Sequence, residues 1–456
     1  MRVYKIAKIA AAASCLVVGA GCTDFLSSEK AIKDPNNPTL ASRNQLFVGV
    51  QANFLGQQEG VVAMVVCMWM QQCAGINGRF VESYGTYTDN NADSFDTPFS
   101  STYTAGGLLG IRAVEASATT DGDLVYRGVA KVYEALNMMW AADLWGAVPY
   151  DEAAADNTKP AFVSQMQIYA SLLTLLDGAI TDLGGAGSGP GVFDLVYGGD
   201  KTKWVQAAHT LKARIYLRRV EKLGNAQYTS ALTEANLGIS APANDFRTAH
   251  SSATSERNMW AQFQVSSFGN DLAAGSVLAN LMVAQSDPRL PEYFGRNSSG
   301  GYGGWDVTTA TTPLSQISPL KGSARTDNPE FRQPIMTYDE NQLIKAEASL
   351  QGPVPNVGAA AIALNAVRAR YGKGNILAPT LTDIMNEKYI LTFQNIEAWS
   401  DYRRTCIPAL RPAVGRTAIP ARLYYGTTEA QTNPNTPSFT AQQANPRNEN
   451  DPNACP

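Results

Sequence analysis

Aromatic rings interleaved with amides and a guanidinium form the most chemically suggestive grouping in this chain. Arg79, Phe80, Tyr84, Tyr87 and Phe95 fall within residues 75–104, among Asn77, Asn90 and Asn91. Flat rings cover the apolar faces of sugars, and amides or arginines satisfy hydroxyls. An apolar platform with a few convergent polar groups is the general recipe for a ligand pocket. Tyr302 and Trp305 add two rings within residues 300–305, where glycines let the backbone approach a partner closely. Each ring has an alternative use as an anchor tucked into the protein's own surface.

Residues fit for catalysis are scarce. The two histidines, His209 and His250, form no HExxH zinc pattern. There is no GxSxG elbow and no phosphate-binding GxxxxGK loop. His209 sits among Ala207, Ala208 and Leu211 and reads as a structural histidine. Asp89, Asn91 and Asp93 begin like a calcium loop, but Ser94 and Ser100 replace its turn glycine and bidentate glutamate. Asp121 and Asp123 flank Gly122 and read as helix-capping residues. Paired carboxylates for glycoside hydrolysis would be neighbours in space rather than in sequence. The expectation is therefore binding without catalytic residues, metal or cofactor.

Cys22 carries a different chemistry. Arg2, Lys5 and Lys8 precede an apolar run from Ile9, and Gly19, Ala20 and Gly21 lead directly into Cys22. This is the layout of an exported signal peptide, and its end resembles a bacterial lipoprotein signal with Gly19 where leucine is usual. Cys22 would then be lipidated and become the mature N-terminus. The apolar run is shorter than the ~20 residues that a membrane span requires. Cys67, Cys73, Cys406 and Cys455 remain, and after export they either pair or stay as buried thiols. Cys406 with Cys455 would pin the tail. Cys67 and Cys73 could bond only if a helix ends between them, because residues six apart do not share a helix face. The net charge is −4 with no long basic run, which disfavours nucleic acid as a partner.

The elements that must position these residues are mostly helical. Residues 1–21 read as signal, 22–38 as a polar tether and 39–456 as one domain. Leu46, Phe47, Val50, Phe54 and Leu55 share a helical face, and residues 61–70 are apolar all round, as in a buried helix. Residues 75–104 read as a long ordered loop or short hairpin. Helices are expected over 111–118, 124–144, 203–221, 272–284, 339–350, 359–371 and 383 to about 401. Another begins at Ser164, where Gln167 completes a capping box. The tail beyond Gly426 is rich in Asn, Pro, Thr and Gln and should be extended. Helix pairs joined by long loops point to a helical-repeat core, although no clean 34-residue tetratricopeptide period is present.

Several segments, in order, carry a family resemblance. Asp143 to Tyr150 (DLWGAVPY), followed by Glu152 and Ala153, resembles the DLWGDVPYSEA segment of SusD/RagB-like outer-membrane lipoproteins. Asp194 to Trp204 (DLVYGGDKTKW), Asp287 to Leu290 (DPRL) and Ile335 to Gly352 are similar to further segments of that family. So are Ala398 to Leu410 and Ile419 to Asn435, the latter with Gly426 where proline is usual. The start at Cys22 (CTDFL) fits as well. The resemblance implies a mainly α fold of tetratricopeptide-like helix pairs, an α-α superhelix elaborated by loops. It also implies a nutrient-binding lipoprotein on the outer face of the outer membrane. Its partner would be a SusC-like TonB-dependent transporter, and its ligand a glycan or, as in some members, a peptide. A surface glycoside hydrolase and a protein-binding helical scaffold are the rival classes. Trp145 and Tyr150 read as packing over a helix end. Arg403 and Arg404 beside Trp399 and Tyr402 read as stacking and salt-bridging rather than anion-binding.

Overall fold

Ser164 starts a helix because its side chain accepts from the Gln167 N–H while its own N–H donates back to the Gln167 side chain. Similar entries recur along this computed structural model, which describes residues 41–451 and 455 apart from 92, 105, 154–158, 310 and 323. The expected signal, tether and lipidated Cys22 lie outside the described residues. Contacts divide the chain into Met1–Gln45 and Leu46–Pro456, and the architecture below is that of the second unit.

The fold is mainly α. Helix α1 spans Arg43–Glu59 and α2 spans Val61–Trp69, with every residue of α2 after the first buried. Next come α3 (Leu108–Thr120), α4 (Leu124–Trp145), α5 (Gln165–Leu183) and α6 (Lys201–Arg218). They are followed by α7 (Ala226–Leu237), α8 (Tyr338–Gln351), α9 (Val357–Arg370), α10 (Leu381–Leu391) and α11 (Glu397–Thr405). Each of α4 to α9 packs on its predecessor, and α10 returns onto α8. The result is a helix-pair array, with α4 buried along nearly its whole length. Three two-stranded antiparallel pairs decorate it: β1 (Cys73–Gly75) with β5 (Leu272–Ala274), β2 (Val148–Pro149) with β3 (Phe162–Val163), and β4 (Phe246–Arg247) with β6 (Pro334–Met336).

Buried ion pairs knit the array, and they explain the segments that carry the resemblance. Arg218 reaches Asp143 at 2.7 Å and Glu397 at 2.6 Å, tying α6 to α4 and α11. Burial alone would raise the Glu397 pKa, but Arg214, Arg218 and Lys388 outweigh it and hold the carboxyl down at about 2. Arg289 pairs with Asp287 and Glu387. Asp194 accepts from the Trp204 indole at 2.7 Å and from the Tyr197 and Gly199 N–H groups, which fixes the entry to α6. Leu423 N–H donates to Leu144 O, and Arg422 donates to Trp145 O at 2.7 Å. The tail is thereby clasped to the end of α4. There Gly146 adopts φ +81°, and a Cβ would meet Asn448 Oδ1 at 2.5 Å. Arg404 pairs with Glu347 and Asp401, while Arg403 lies over Tyr402 and pairs with Asp451. His209 bonds Glu234 at 2.7 Å.

Several expectations are corrected. Residues 272–274 form a strand rather than helix, because β1 offers them a ladder; helix resumes at Ser276. The span 383–401 is broken between α10 and α11, where Gln394 adopts φ +61°. The tail beyond Gly426 is not wholly extended, since Thr427–Thr432 and Phe439–Ala444 are short helices. Helix α7 escaped the sequence reading because its buried face is Tyr228, Ala231 and Ala235, a weak apolar signal. Cys67 is joined to Cys73, with α2 ending at Trp69 between them, and Cys406 is joined to Cys455.

Candidate functional site

The loop after β1 and the segment around Trp305 meet on one small sheet. Trp305 N–H donates to Ala274 O at 2.9 Å, and Ser276 N–H donates to Trp305 O at 3.0 Å. Trp305 therefore lies along β5, opposite β1. A Cβ on Gly304 would sit 2.4 Å from the Gly275 carbonyl carbon, so glycine is required for this approach. The close partner of this glycine-rich stretch is thus the protein's own strand.

The seven aromatic and arginine candidates separate into three groups. Phe80, Tyr84 and Phe95 are buried, with Phe95 0% exposed, and cannot offer a face to a ligand. They form the loop's own core: Phe80 meets Phe263, Phe95 meets Trp69, and Trp69 Nε1 donates to Tyr84 O at 2.9 Å. That is the anchoring use of aromatics. Arg79 is exposed and lies over Phe80, while Tyr302 is half-buried beneath Arg296. Tyr87 and Trp305 remain half-buried at the mouths of clefts. The residues that begin like a calcium loop serve the chain's own turn: Asn91 Oδ1 accepts from the Asp93 and Ser94 N–H groups.

Two clefts adjoin. The first, about 210 Å³, is walled by Trp305, Val81, Thr86, Val307 and Val414. The second, about 270 Å³, is walled by Tyr87, Asn90, Arg416, Tyr424, Gln443 and Arg447. A ridge separates them. Ala413 N–H donates to Tyr87 Oη at 3.1 Å, and Val414 N–H donates to Val307 O at 2.8 Å. Burial pushes the Tyr87 phenol up to about 12, so it stays neutral and keeps its hydroxyl proton. Tyr87 also holds φ +66°. That costs a non-glycine residue on the order of 1–2 kcal/mol, a kind of strain that gathers at ligand sites. Together the clefts offer three ring walls, an amide-bearing side and two guanidiniums. This suits a polyhydroxylated ligand and holds no nucleophile–base pair.

A larger depression of about 470 Å³ lies at Pro288 and Lys373, but no aromatic side chain lines it. Its lysine is already satisfied by Gln285, Asp287 and Glu387. Tyr424, Arg416, Gln443 and Arg447 were not singled out from the sequence. One signal was available: Arg403, Arg404, Arg411, Arg416 and Arg422 occur between Asp401 and Glu429 with no acidic residue among them.

Residues 35–426 match a protein family described as SusD-like, "starch-binding associating with outer membrane". A SusD/RagB family protein from Bacteroides thetaiotaomicron has the same fold, with a TM-score of 0.68 at 18% identity over 89% of this chain and 97% of its own. A chitin-binding SusD homologue from Flavobacterium johnsoniae gives 0.72 at 18% identity over 90% and 99%. A further chitin-binding protein gives 0.73 at 20% identity over 90% and 100%. No curated protein matches the chain. Because the family match runs through most of the sequence and the described helices carry the corresponding fold, this chain belongs to the SusD-like family.

Proposed function

We propose that this protein is a surface lipoprotein, held to the outer membrane through Cys22, which binds a glycan and passes it to a SusC-like TonB-dependent transporter. SusD-like proteins are binding proteins, and the family is associated with starch and the outer membrane. Two proteins of similar fold are described as chitin-binding. The observation that carries the reading is the pair of clefts divided by the Tyr87–Ala413 ridge, with Trp305 on one side and Tyr87 and Tyr424 on the other. Rings fixed by backbone hydrogen bonds on both flanks lose little freedom when a sugar stacks on them. No described helix is long and apolar enough to cross a membrane.

Calorimetry against starch, chitin and other oligosaccharides, with a peptide pool as comparator, tests the binding. Stacking at ~25 cal/mol per Å² makes each platform worth about tenfold in affinity. Trp305→Ala should therefore weaken glycan binding by about that factor with circular dichroism unchanged. Product analysis of the same mixtures should show no bond cleaved; released sugars would favour the hydrolase. Mild detergent extraction and pull-down should recover a much larger β-barrel chain in near-equal amount. Recovery of the lipoprotein alone, where other outer-membrane complexes survive, would remove the transport role.

A further inference from the structure

The second cleft carries a charge bias that the first lacks. Arg416 and Arg447 line it, and none of its lining residues is acidic. Arg416 is exposed, and its guanidinium forms no hydrogen bond or ion pair with the described residues. Arg447 pairs with Asp451 at 3.2 Å yet keeps its side chain 29% exposed. Behind them, buried Arg403 shares the same Asp451 at 3.4 Å and leaves Nε and Nη2 without a described partner. Arg403 and Arg447 thus share one carboxylate, and Arg416 beside them pairs with no described carboxylate. The surplus is local, because the whole chain has a net charge of −4.

The rest of the cleft is built for a sugar ring. Tyr87 and Tyr424 supply apolar walls, and Asn90 holds its amide toward Arg422 O at 3.2 Å while its buried Oδ1 has no partner among the described residues. That oxygen accepts and cannot donate, so it matches a hydroxyl rather than an anion. The guanidiniums match the anion instead, since a planar fork of N–H groups fits carboxylate and sulfate oxygens pairwise.

We propose that this second cleft binds an acidic sugar residue, one bearing a carboxylate or a sulfate, with Arg416 as its anion contact. The proposal rests on the glycan-binding reading and narrows it to an acidic glycan. A chain that also lies across the Trp305 cleft would cross the Tyr87 ridge, placing a neutral ring on one side and the acidic ring on the other.

The test uses the full mature chain and matched pairs of probes. These are oligogalacturonate against its methyl ester, and a sulfated galactan oligosaccharide against its desulfated form. At least one acidic member should bind about tenfold more tightly than its neutral partner, and the advantage should shrink as salt rises from roughly 50 to 300 mM. Which pair shows the advantage tells carboxylate from sulfate. Arg416→Gln should remove most of the acidic member's advantage over its neutral partner, and Arg416→Lys should restore part of it. Equal binding within both pairs, or an advantage that survives Arg416→Gln, overturns the proposal. Polyphosphate binding as tightly as the acidic sugars also overturns it, by showing an unspecific anion patch. If neutral glycans still bind and Trp305→Ala still weakens them, the glycan reading stands while this proposal falls. If no glycan of either kind binds, both fall.

Discussion

Arg218 ties three helices together with one side chain, pairing with Asp143 on α4 and Glu397 on α11. Removing one member of a buried pair leaves the other charges uncompensated, at about 3–5 kcal/mol. Arg218→Met should therefore lower unfolding free energy by about that amount in urea, with loss of soluble protein as the extreme. Glu115 makes the opposite case. Burial raises its pKa, and the Glu134 carboxylate raises it further, to about 9. A carboxyl raised in the folded state adds stability below the unfolded value near 4.5, and that contribution is lost as pH climbs toward about 9. Glu115→Gln removes the charge but keeps the shape. It should raise Tm by about 1–3 °C near pH 7 and leave it nearly unchanged near pH 4, as read by scanning calorimetry. An equal rise at both values would mean that the carboxyl is not held neutral.

At the scale of elements, the two disulfides close loops of very different length. Cys406 and Cys455 are separated by 49 positions, and Cys67 and Cys73 by 6. Loop-closure entropy gives about 4 kcal/mol for the longer and about 2 kcal/mol for the shorter. Cys455→Ser should therefore cost more stability than Cys73→Ser, and it should free the tail to protease before the helical core opens. Peptide mapping without reductant should recover both linked pairs. Equal losses, or a tail that resists protease, would show that the tail is held by its own contacts instead. Those contacts are substantial: Arg422 and Leu423 bond the end of α4, and Asn448 donates to Asp143 O at 2.8 Å.

At the scale of the whole molecule, the proposed role requires an anchor and a receiver. Cys22 lies outside the described residues, so its role rests on the signal-like sequence before it. Intact-mass analysis of protein extracted from membranes should find a diacylglycerol group on Cys22. Cys22→Ala should shift the protein from the membrane to the soluble fraction, and an unmodified soluble N-terminus in the native host would refute the anchor. A stable complex with the proposed transporter would need an interface of at least the ~1,600 Å² of a standard complex. The tail offers surface for it, with Phe439 38% exposed.

The sequence alone determined the fold class, most helix positions and the family. Those signals are local: apolar residues at helical spacing, a capping box at Ser164, and runs such as Asp194 to Trp204 whose hydrogen bonds close within ten residues. It also identified Tyr87 and Trp305 as rings worth attention. Tertiary structure alone decided which rings stay at the surface. Phe80, Tyr84 and Phe95 have the same composition and spacing as ligand platforms, yet Trp69 and Phe263 reach them from other elements and bury them. It also decided that residues 272–274 are strand, since their ladder partner lies nearly 200 positions earlier at Cys73–Gly75. The second cleft joins Tyr87 and Asn90 to Arg416, Tyr424 and Arg447, more than 300 positions away. Sequence spacing says nothing about such a meeting, because only the packed helices beneath it bring the two ends of the chain together.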